Sequence, residues 1–146
     1  MTFLAIDQGT TSTRGLIVDE EGHTEVIFSR SHRQIYPHSQ WVEHDPEELL
    51  GHIRACIELG RERGVRAFGI ANQGESCLAW DAKTGKALSP VIVWQDARTQ
   101  EKIEQLRANG FEAMVLQRAR LPLDPYFSAS KLGWILENIP AATEYF

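Results

Sequence analysis

The sequence predicts an α/β fold from three observations. Short apolar or β-branched runs separated by turn residues fill much of the first half, as expected for strands. The stretch after Asp45 has apolar residues at helical spacing behind a capping sequence. The last third has a helical pattern, and no repeat or low-complexity linker divides the chain. We therefore predict one continuous α/β domain over residues 1–146.

The first elements are predicted to be antiparallel strands. We expect strands over residues 3–6, 15–18 and 24–30, with a turn at Asp19-Glu20-Glu21-Gly22 between the second and the third. The run Ala67-Phe68-Gly69-Ile70-Ala71 is short and apolar, and this predicts a further strand that is buried.

The helix that precedes this last strand has identifiable ends. Asp45 is expected to be the N-cap, Pro46 the first helical residue and Glu48 the partner that completes a capping box. Gly64 marks the expected end of the helix. One predicted face carries the apolar and small residues Leu49, Ile53, Cys56, Ile57 and Gly60.

After the first seventy residues, two further strands are predicted, and the last third is predicted to be helical. Strands are expected over residues 77–80 and 90–94, around a turn at 81–85, and helices over 97–108, 111–118 and 128–138. Ser128 is placed as the N-cap of the last helix, and Pro140 follows its end. The apolar face predicted for that helix consists of Leu132, Ile135, Leu136 and Ile139.

Composition excludes several classes of function. No apolar run approaches the roughly 18 residues of a membrane span, and the start lacks the basic flank of a secretory signal, so a cytoplasmic protein is expected. The net charge of −5, without a run of Lys or Arg, argues against nucleic acid as a partner. Cys56 and Cys77 are expected to be small buried hydrophobes, and no histidine spacing predicts a metal site.

A polar hairpin rich in hydroxyl groups is predicted after the first strand, at Asp7-Gln8-Gly9-Thr10-Thr11-Ser12-Thr13-Arg14. Turn amides and hydroxyls can donate to phosphate oxygens, and Arg14 adds a fork-shaped cation. Asp7 could hold Mg²⁺ directly or through water. The same residue types are common in ordinary polar turns, so the chemistry alone leaves both interpretations open. The pattern is neither a Walker loop nor a dinucleotide-binding loop.

This hairpin resembles the opening of the glycerol kinases and of the wider family of carbohydrate kinases with an actin-like fold. Further segments resemble that family in the same order, at residues 34–37, 41–46, 69–73, 93–96 and 123–128. The resemblance covers nearly the whole chain. It implies a ribonuclease-H-like (actin-like ATPase) mixed sheet flanked by helices, of which this chain would be an incomplete amino-terminal lobe.

The resemblance also implies roles for individual residues. ATP phosphates would be contacted by Gln8, Gly9, Thr10, Thr11, Ser12 and Arg14, with Mg²⁺ near Asp7. Glu75 and Tyr126 would bind substrate hydroxyls, and Trp94 would pack on the carbon chain. Without the family, Glu75 is a solvated loop acid and the two aromatics are core or rim residues. For Trp94 both interpretations stay open.

Gly74 departs from the family pattern. Glycerol kinases carry an arginine at the matching position, in a segment of the form Asn-Gln-Arg-Glu, where this chain has Asn72-Gln73-Gly74-Glu75. Loss of a buried guanidinium removes two hydrogen bonds to charge, each worth about 1.5–3 kcal/mol. We therefore predict a polyol or sugar substrate other than glycerol.

The implied activity is ATP-dependent phosphorylation of a polyol or sugar hydroxyl, with the remainder of the kinase chain as a partner. The catalytic base is expected downstream, so the isolated chain should be inactive; a homo-oligomer stays open for the full-length protein. The helix from Ser128 is expected to fix Tyr126, without direct chemistry by Lys131. A non-catalytic polyol- or phosphate-binding module is the alternative. An actin-like or chaperone-like ATPase would share the hairpin but would not need Glu75.

Overall fold

A computed structural model describes residues 2–144, which form two compact units. The first unit contains the residues up to Gln34 together with His44–Gly74, and the second contains Ile35–Glu43 and the residues from Glu75 onward. The predicted domain 1–146 includes Met1, Tyr145 and Phe146, which lie outside the described residues. That the two units make up one domain stays a prediction.

The first half of the chain is mostly strands around one long helix, and the last third is helical. In order the elements are β1 (Phe3–Gln8), β2 (Ser12–Val18), β3 (Thr24–Ser31), β4 (Glu43–His44), α1 (Pro46–Glu62), β5 (Phe68–Asn72), β6 (Val91–Ile92), α2 (Gln100–Ala108), α3 (Glu112–Ala119), α4 (Ser128–Asn138) and α5 (Pro140–Thr143). Among these described residues, no helix has both the length and the apolar character that crossing a membrane requires.

The first unit contains a mixed sheet in the order β3-β2-β1-β5. β1 pairs antiparallel with β2 and parallel with β5, and β2 pairs antiparallel with β3. The predicted antiparallel strands and the turn before β3 are therefore confirmed. β5 forms where a strand was predicted, but its residues are all exposed, so the predicted burial is wrong. It lies at the edge of the described sheet, where only one neighbouring strand covers it.

Helix α1 packs on one face of this sheet. Leu4 and Ile6 of β1 form a buried cluster with Cys56, which confirms the predicted apolar face of α1 and the burial of Cys56. A Cβ atom at Gly60 would lie 3.0 Å from Leu4 Cδ2, so glycine allows the helix to approach the strand closely. Every second residue of β1 is buried, which leaves Asp7 on the exposed face.

The predicted N-cap of α1 is confirmed, whereas the predicted capping box at Glu48 is wrong. The Asp45 side chain accepts from Glu47 N at 2.9 Å, which confirms the N-cap. Glu48 does not complete a capping box, because its carboxylate accepts from Arg33 Nε at 3.1 Å. The guanidinium of Arg33 also donates to Asp45, at 3.2 Å, so Arg33 binds the carboxylates of both Asp45 and Glu48.

The second unit differs from its prediction at several places, of which the first is the stretch from Cys77 to Trp80. The strand expected over 77–80 is wrong. Cys77 forms an isolated bridge with Ile92, and Trp80 forms one with Ala87, but no continuous strand joins them. Cys77 is only partly buried, so the burial predicted for it is confirmed in part. Its main chain exchanges hydrogen bonds with Ile92 at 3.0 and 2.8 Å, which ties it to a core of Ile92, Ile135 and Ala142.

Helix α4 has the predicted bounds but not the predicted faces. Ser128 is its first helical residue, and the N-cap is Phe127, so the predicted N-cap is wrong. Ile135 is buried as expected, whereas Leu132 and Leu136 are exposed and Lys131 is buried instead. The lysine is buried because its ammonium group finds main-chain acceptors before the helix. Pro140 follows the helix as predicted and begins α5.

Candidate functional site

The hairpin between β1 and β2 is tight and brings the predicted phosphate-contacting residues together. Gly9 N donates to Ser12 O at 3.0 Å, so Thr10 and Thr11 form a two-residue loop. Asp7 pairs directly with Arg14 across the two strands, and both side chains are exposed. Residues directly opposite on neighbouring strands point to the same face. A carboxylate and a guanidinium thus lie side by side next to a loop lined with hydroxyls.

The main-chain carbonyls of Gly9 and Thr10 accept hydrogen bonds from side chains on the inner side of the hairpin. Thr10 O accepts from His32 Nε2 at 2.8 Å and from Gln34 Nε2 at 2.9 Å. Gly9 O accepts from Gln8 Nε2 at 3.0 Å and, more weakly, from Gln73 Nε2 at 3.5 Å. Gln8, predicted to contact phosphate, is therefore buried and acts on the loop from its inner side.

Sequence reasoning missed three side chains that support the hairpin: His32, Gln34 and Gln73. The only signal in the sequence was that Gln34 and Gln73 fall in segments that resemble the carbohydrate kinases. Their spacing along the chain gives no indication that they meet. His32 and Gln34 lie 22 and 24 residues after Thr10, and Gln73 lies 64 residues after Gly9.

In the second unit, Glu75 is fixed by two short hydrogen bonds. Its carboxylate accepts from Ser128 N at 2.6 Å and from Ser128 Oγ at 2.5 Å. These bonds hold the pKa of Glu75 below its usual value, so the carboxylate is ionised at neutral pH. The residue has φ 61°, in the left-handed region, which is uncommon for a side chain of this type and is frequent at functional sites. Glu75 is a held carboxylate and not a loosely solvated loop acid.

Trp94 and Tyr126 lie next to each other, as the predicted substrate wall requires. Their rings meet edge to face with centroids 5.8 Å apart. Tyr126 is 41% exposed, and the main-chain amide of Trp94 donates to Ser76 Oγ at 3.0 Å. The arrangement places two aromatic rings side by side, and the more exposed residue carries a phenolic hydroxyl.

Lys131 supports this wall from within α4. Its side chain is fully buried, and Nζ donates to Pro125 O at 2.7 Å and to Tyr126 O. Burial lowers the pKa of Lys131, and nearby acidic groups partly oppose this effect. The contact with the main chain of Tyr126 supports the expected role of the helix in fixing that residue.

Gly74 has open space around it. A Cβ atom built there would meet no atom within 4 Å among the described residues, and its φ lies outside the left-handed region. The position therefore does not need glycine for backbone reasons, and a Cβ atom would not clash there.

The comparisons with known proteins decide the family. The N-terminal domain of the FGGY family of carbohydrate kinases matches residues 2–145. This chain belongs to the FGGY carbohydrate kinase family. A glycerol kinase from Koribacter versatilis is 45% identical over 95% of the chain, and one from Leptothrix cholodnii is 46% identical over 99%. The chain spans about 30% of the length of these kinases, 29% and 30% respectively.

Solved structures of FGGY kinases share the fold. Glycerol kinase from Plasmodium falciparum, whose crystal structure contains ADP, superposes with a TM-score of 0.88 at 30% identity, over 98% of this chain and 30% of that one. Xylulose kinase from Lactobacillus acidophilus gives a TM-score of 0.86 at 20% identity, again over 98% of this chain and 30% of that one. The predicted actin-like fold class is thereby confirmed for this FGGY domain.

Proposed function

We propose that this FGGY domain is part of an ATP-dependent kinase that phosphorylates a hydroxyl of a polyol or sugar. The match to the kinase family over residues 2–145 carries the proposal. The hairpin and the aromatic wall are the features that support it, because each offers the groups that one of the two substrates needs.

The hairpin fits the phosphates of a nucleotide. Arg14 can donate to phosphate oxygens through two parallel N–H groups, and the hydroxyls of Thr11 and Ser12 are further donors. Gly9 has no side chain, so a phosphate can approach the main chain closely at this position. The exposed carboxylate of Asp7 has the oxygen chemistry that Mg²⁺ prefers, and bound Mg²⁺ would neutralise phosphate charge during transfer.

The wall in the second unit fits an uncharged substrate with several hydroxyls. Glu75 is ionised and held by Ser128, so a free lone pair can accept from a substrate hydroxyl. The hydroxyl of the exposed residue Tyr126 can donate and accept, and the ring of Trp94 suits the carbon edge of a polyol. These groups orient the substrate by hydrogen bonding and exclude water from its apolar side.

The general base is proposed to lie in a part of the kinase beyond this chain. Asp96 is unsuited, because it is buried and its carboxylate is bonded to Arg98 and to Val42 N. Asp124 accepts from Tyr126 N at 2.8 Å and so caps a turn. The chain alone is expected to release no ADP when it is incubated with ATP and a mixture of polyols.

A polyol or sugar other than glycerol is our preferred candidate, because Gly74 has no side chain that could bind a glycerol hydroxyl. Glycerol is the second candidate, since relatives about 45% identical are glycerol kinases. A phosphorylation screen of the complete reading frame over glycerol, tetritols, pentuloses and hexonates distinguishes them. We expect the highest kcat/KM away from glycerol, and a shift of about tenfold or more toward glycerol in the Gly74→Arg variant. A maximum at glycerol in the unmodified protein would refute the preference, and polyol binding without turnover would support a non-catalytic module.

A further inference from the structure

A buried histidine lies behind the phosphate hairpin, and the proposed function gives it no role so far. His44 has no exposed surface. Its Nε2 lies 2.9 Å from Gln34 Oε1, and its Nδ1 lies 3.2 Å from Gln73 Nε2. Both glutamines reach the hairpin, so a single imidazole connects two of its supports.

The roles of donor and acceptor in this network are fixed by the hairpin. Thr10 O can only accept, so Gln34 must turn its NH₂ group toward Thr10 and its Oε1 toward His44. His44 Nε2 must then carry a proton. On the other side, Gln73 presents its NH₂ group to Gln8 Oε1 at 3.4 Å and to Gly9 O at 3.5 Å, so His44 Nδ1 must accept.

The result is a continuous chain of hydrogen bonds whose two ends are neighbouring carbonyls. One arm runs from His44 through Gln34 to Thr10 O. The other runs from His44 through Gln73 and then Gln8, which donates to Gly9 O at 3.0 Å. Only the neutral tautomer of His44 with its proton on Nε2 satisfies both arms at once.

The electrostatics of the site keep His44 in this neutral form. Burial is the main cause that lowers its pKa to about 4, and the neighbouring His32 lowers it further, while Glu48 opposes both. The rings of His32 and His44 meet edge to face with centroids 4.6 Å apart. At neutral pH the imidazole therefore offers one donor and one acceptor, as both arms require.

A hairpin that receives phosphate must direct its carbonyl oxygens away from the anion, because their partial negative charge repels it. The two arms hold the carbonyls of Gly9 and Thr10 on the inner side of the hairpin. We infer that His44 is a positioning residue that sets the hairpin in its phosphate-binding conformation, an inference that rests on the function proposed for the hairpin.

The inference is tested first on the chain itself. In ¹⁵N NMR spectra at neutral pH, Nε2 of His44 should be protonated and Nδ1 should not. In the His44→Leu variant, amide hydrogen exchange at residues 9–12 should accelerate about tenfold relative to the remaining amides of β1 and β2. His44→Gln retains a donor toward Gln34 but no ring acceptor, so its exchange should be intermediate. It also serves as the test if the leucine variant does not fold.

His52 provides a matched control, because it is another histidine of the first unit whose ring lies near that of His32. Its ring lies 6.4 Å from that of His32, and its Nδ1 is buried without a hydrogen-bond partner in the described structure. His52→Leu should leave the exchange of the hairpin unchanged. A role in packing alone would accelerate exchange throughout the first unit in both variants, and this result would overturn the inference. The opposite tautomer of His44 would overturn it as well.

Kinetics of the complete reading frame separate this inference from the proposed function. His44→Leu should raise the KM for Mg·ATP about tenfold and leave the KM for the polyol unchanged. An unchanged KM for Mg·ATP in an active kinase refutes the role of His44 alone. Selective exchange at the hairpin in a protein without kinase activity would refute the proposed function and leave the hydrogen-bond chain in place.

Discussion

In the first unit the polar groups buried behind the candidate site are neutral, whereas in the second unit they are charged. His44 and its two glutamines hold the hairpin through uncharged hydrogen bonds. The second unit buries Arg98 and Asp96 with no exposed side-chain surface, and it also buries Lys131. Neutral networks cost little to bury but depend on the orientation of each partner, while a buried charge is costly once its partner is removed. Substitutions and changes of pH should therefore destabilise the two units to different extents.

Removal of Arg98 should produce the largest effect. Its guanidinium donates to Asp96 Oδ2 at 2.8 Å and to Glu43 Oε1 at 2.7 Å, and it lies 3.8 Å above the ring of Trp41. Arg98→Met leaves a carboxylate buried without its cation, so we expect a loss of about 3–5 kcal/mol in the free energy of unfolding of the second unit.

Tryptophan fluorescence during urea denaturation measures this loss in the second unit alone. All four tryptophans of the chain lie there, at positions 41, 80, 94 and 134. Arg98→Lys keeps the charge but loses the fork and the planar stacking, and it should fall between the wild type and the methionine variant. A loss below about 1 kcal/mol for Arg98→Met would contradict the expectation that a charge buried in the second unit is costly once its partner is removed.

As the pH is lowered, the first unit should lose stability before the second. Because the pKa of His44 falls from 6.5 to about 4 on folding, the unfolded chain binds a proton first as the pH is lowered. The stabilisation of the first unit is complete above pH 6.5 and decreases toward pH 4, by about 3 kcal/mol at 1.36 kcal/mol per pKa unit. In the second unit Glu75 also has a lowered pKa, so its contribution is lost only below its usual value of 4.5.

Urea denaturation at a series of pH values between 7 and 4 checks this order. Far-ultraviolet circular dichroism follows both units, and tryptophan fluorescence follows only the second. The transition of the first unit should move to lower urea first, and in His44→Gln this movement should shrink. Equal shifts of the two transitions in the wild type would contradict the difference between neutral and charged supports.

The sequence was sufficient for the features that depend on neighbouring residues. The tight hairpin, the cap at Asp45 and the apolar face of α1 all follow from local patterns, and they are confirmed. The family resemblance supplied Glu75 and Tyr126 as candidate substrate contacts, and their roles stay predictions.

Features that depend on distant parts of the chain were not predictable. The hydrogen-bond chain through His44 joins the hairpin to Gln34 and Gln73, and no local pattern requires these four places in the sequence to meet. Ser128 has the composition of an N-cap, yet its hydroxyl donates to Glu75, 53 residues earlier. The burial of Lys131 is similar, because an ammonium group can replace an apolar side chain only where carbonyls converge.

The smallest expected effect concerns backbone strain in the second unit, where charge has no part. Arg120 ends α3 with φ 60°, and its amide donates to Leu116 O at 3.0 Å. Arg120→Gly removes the crowding of Cβ in this left-handed conformation, and it should stabilise the second unit by about 0.5–1 kcal/mol. Arg118→Gly is the matched control, because it places the same change inside α3 and should destabilise by about 1 kcal/mol. Fluorescence-detected urea denaturation measures both variants, and destabilisation by Arg120→Gly would mean that the arginine side chain contributes more to this helix end than its backbone conformation costs.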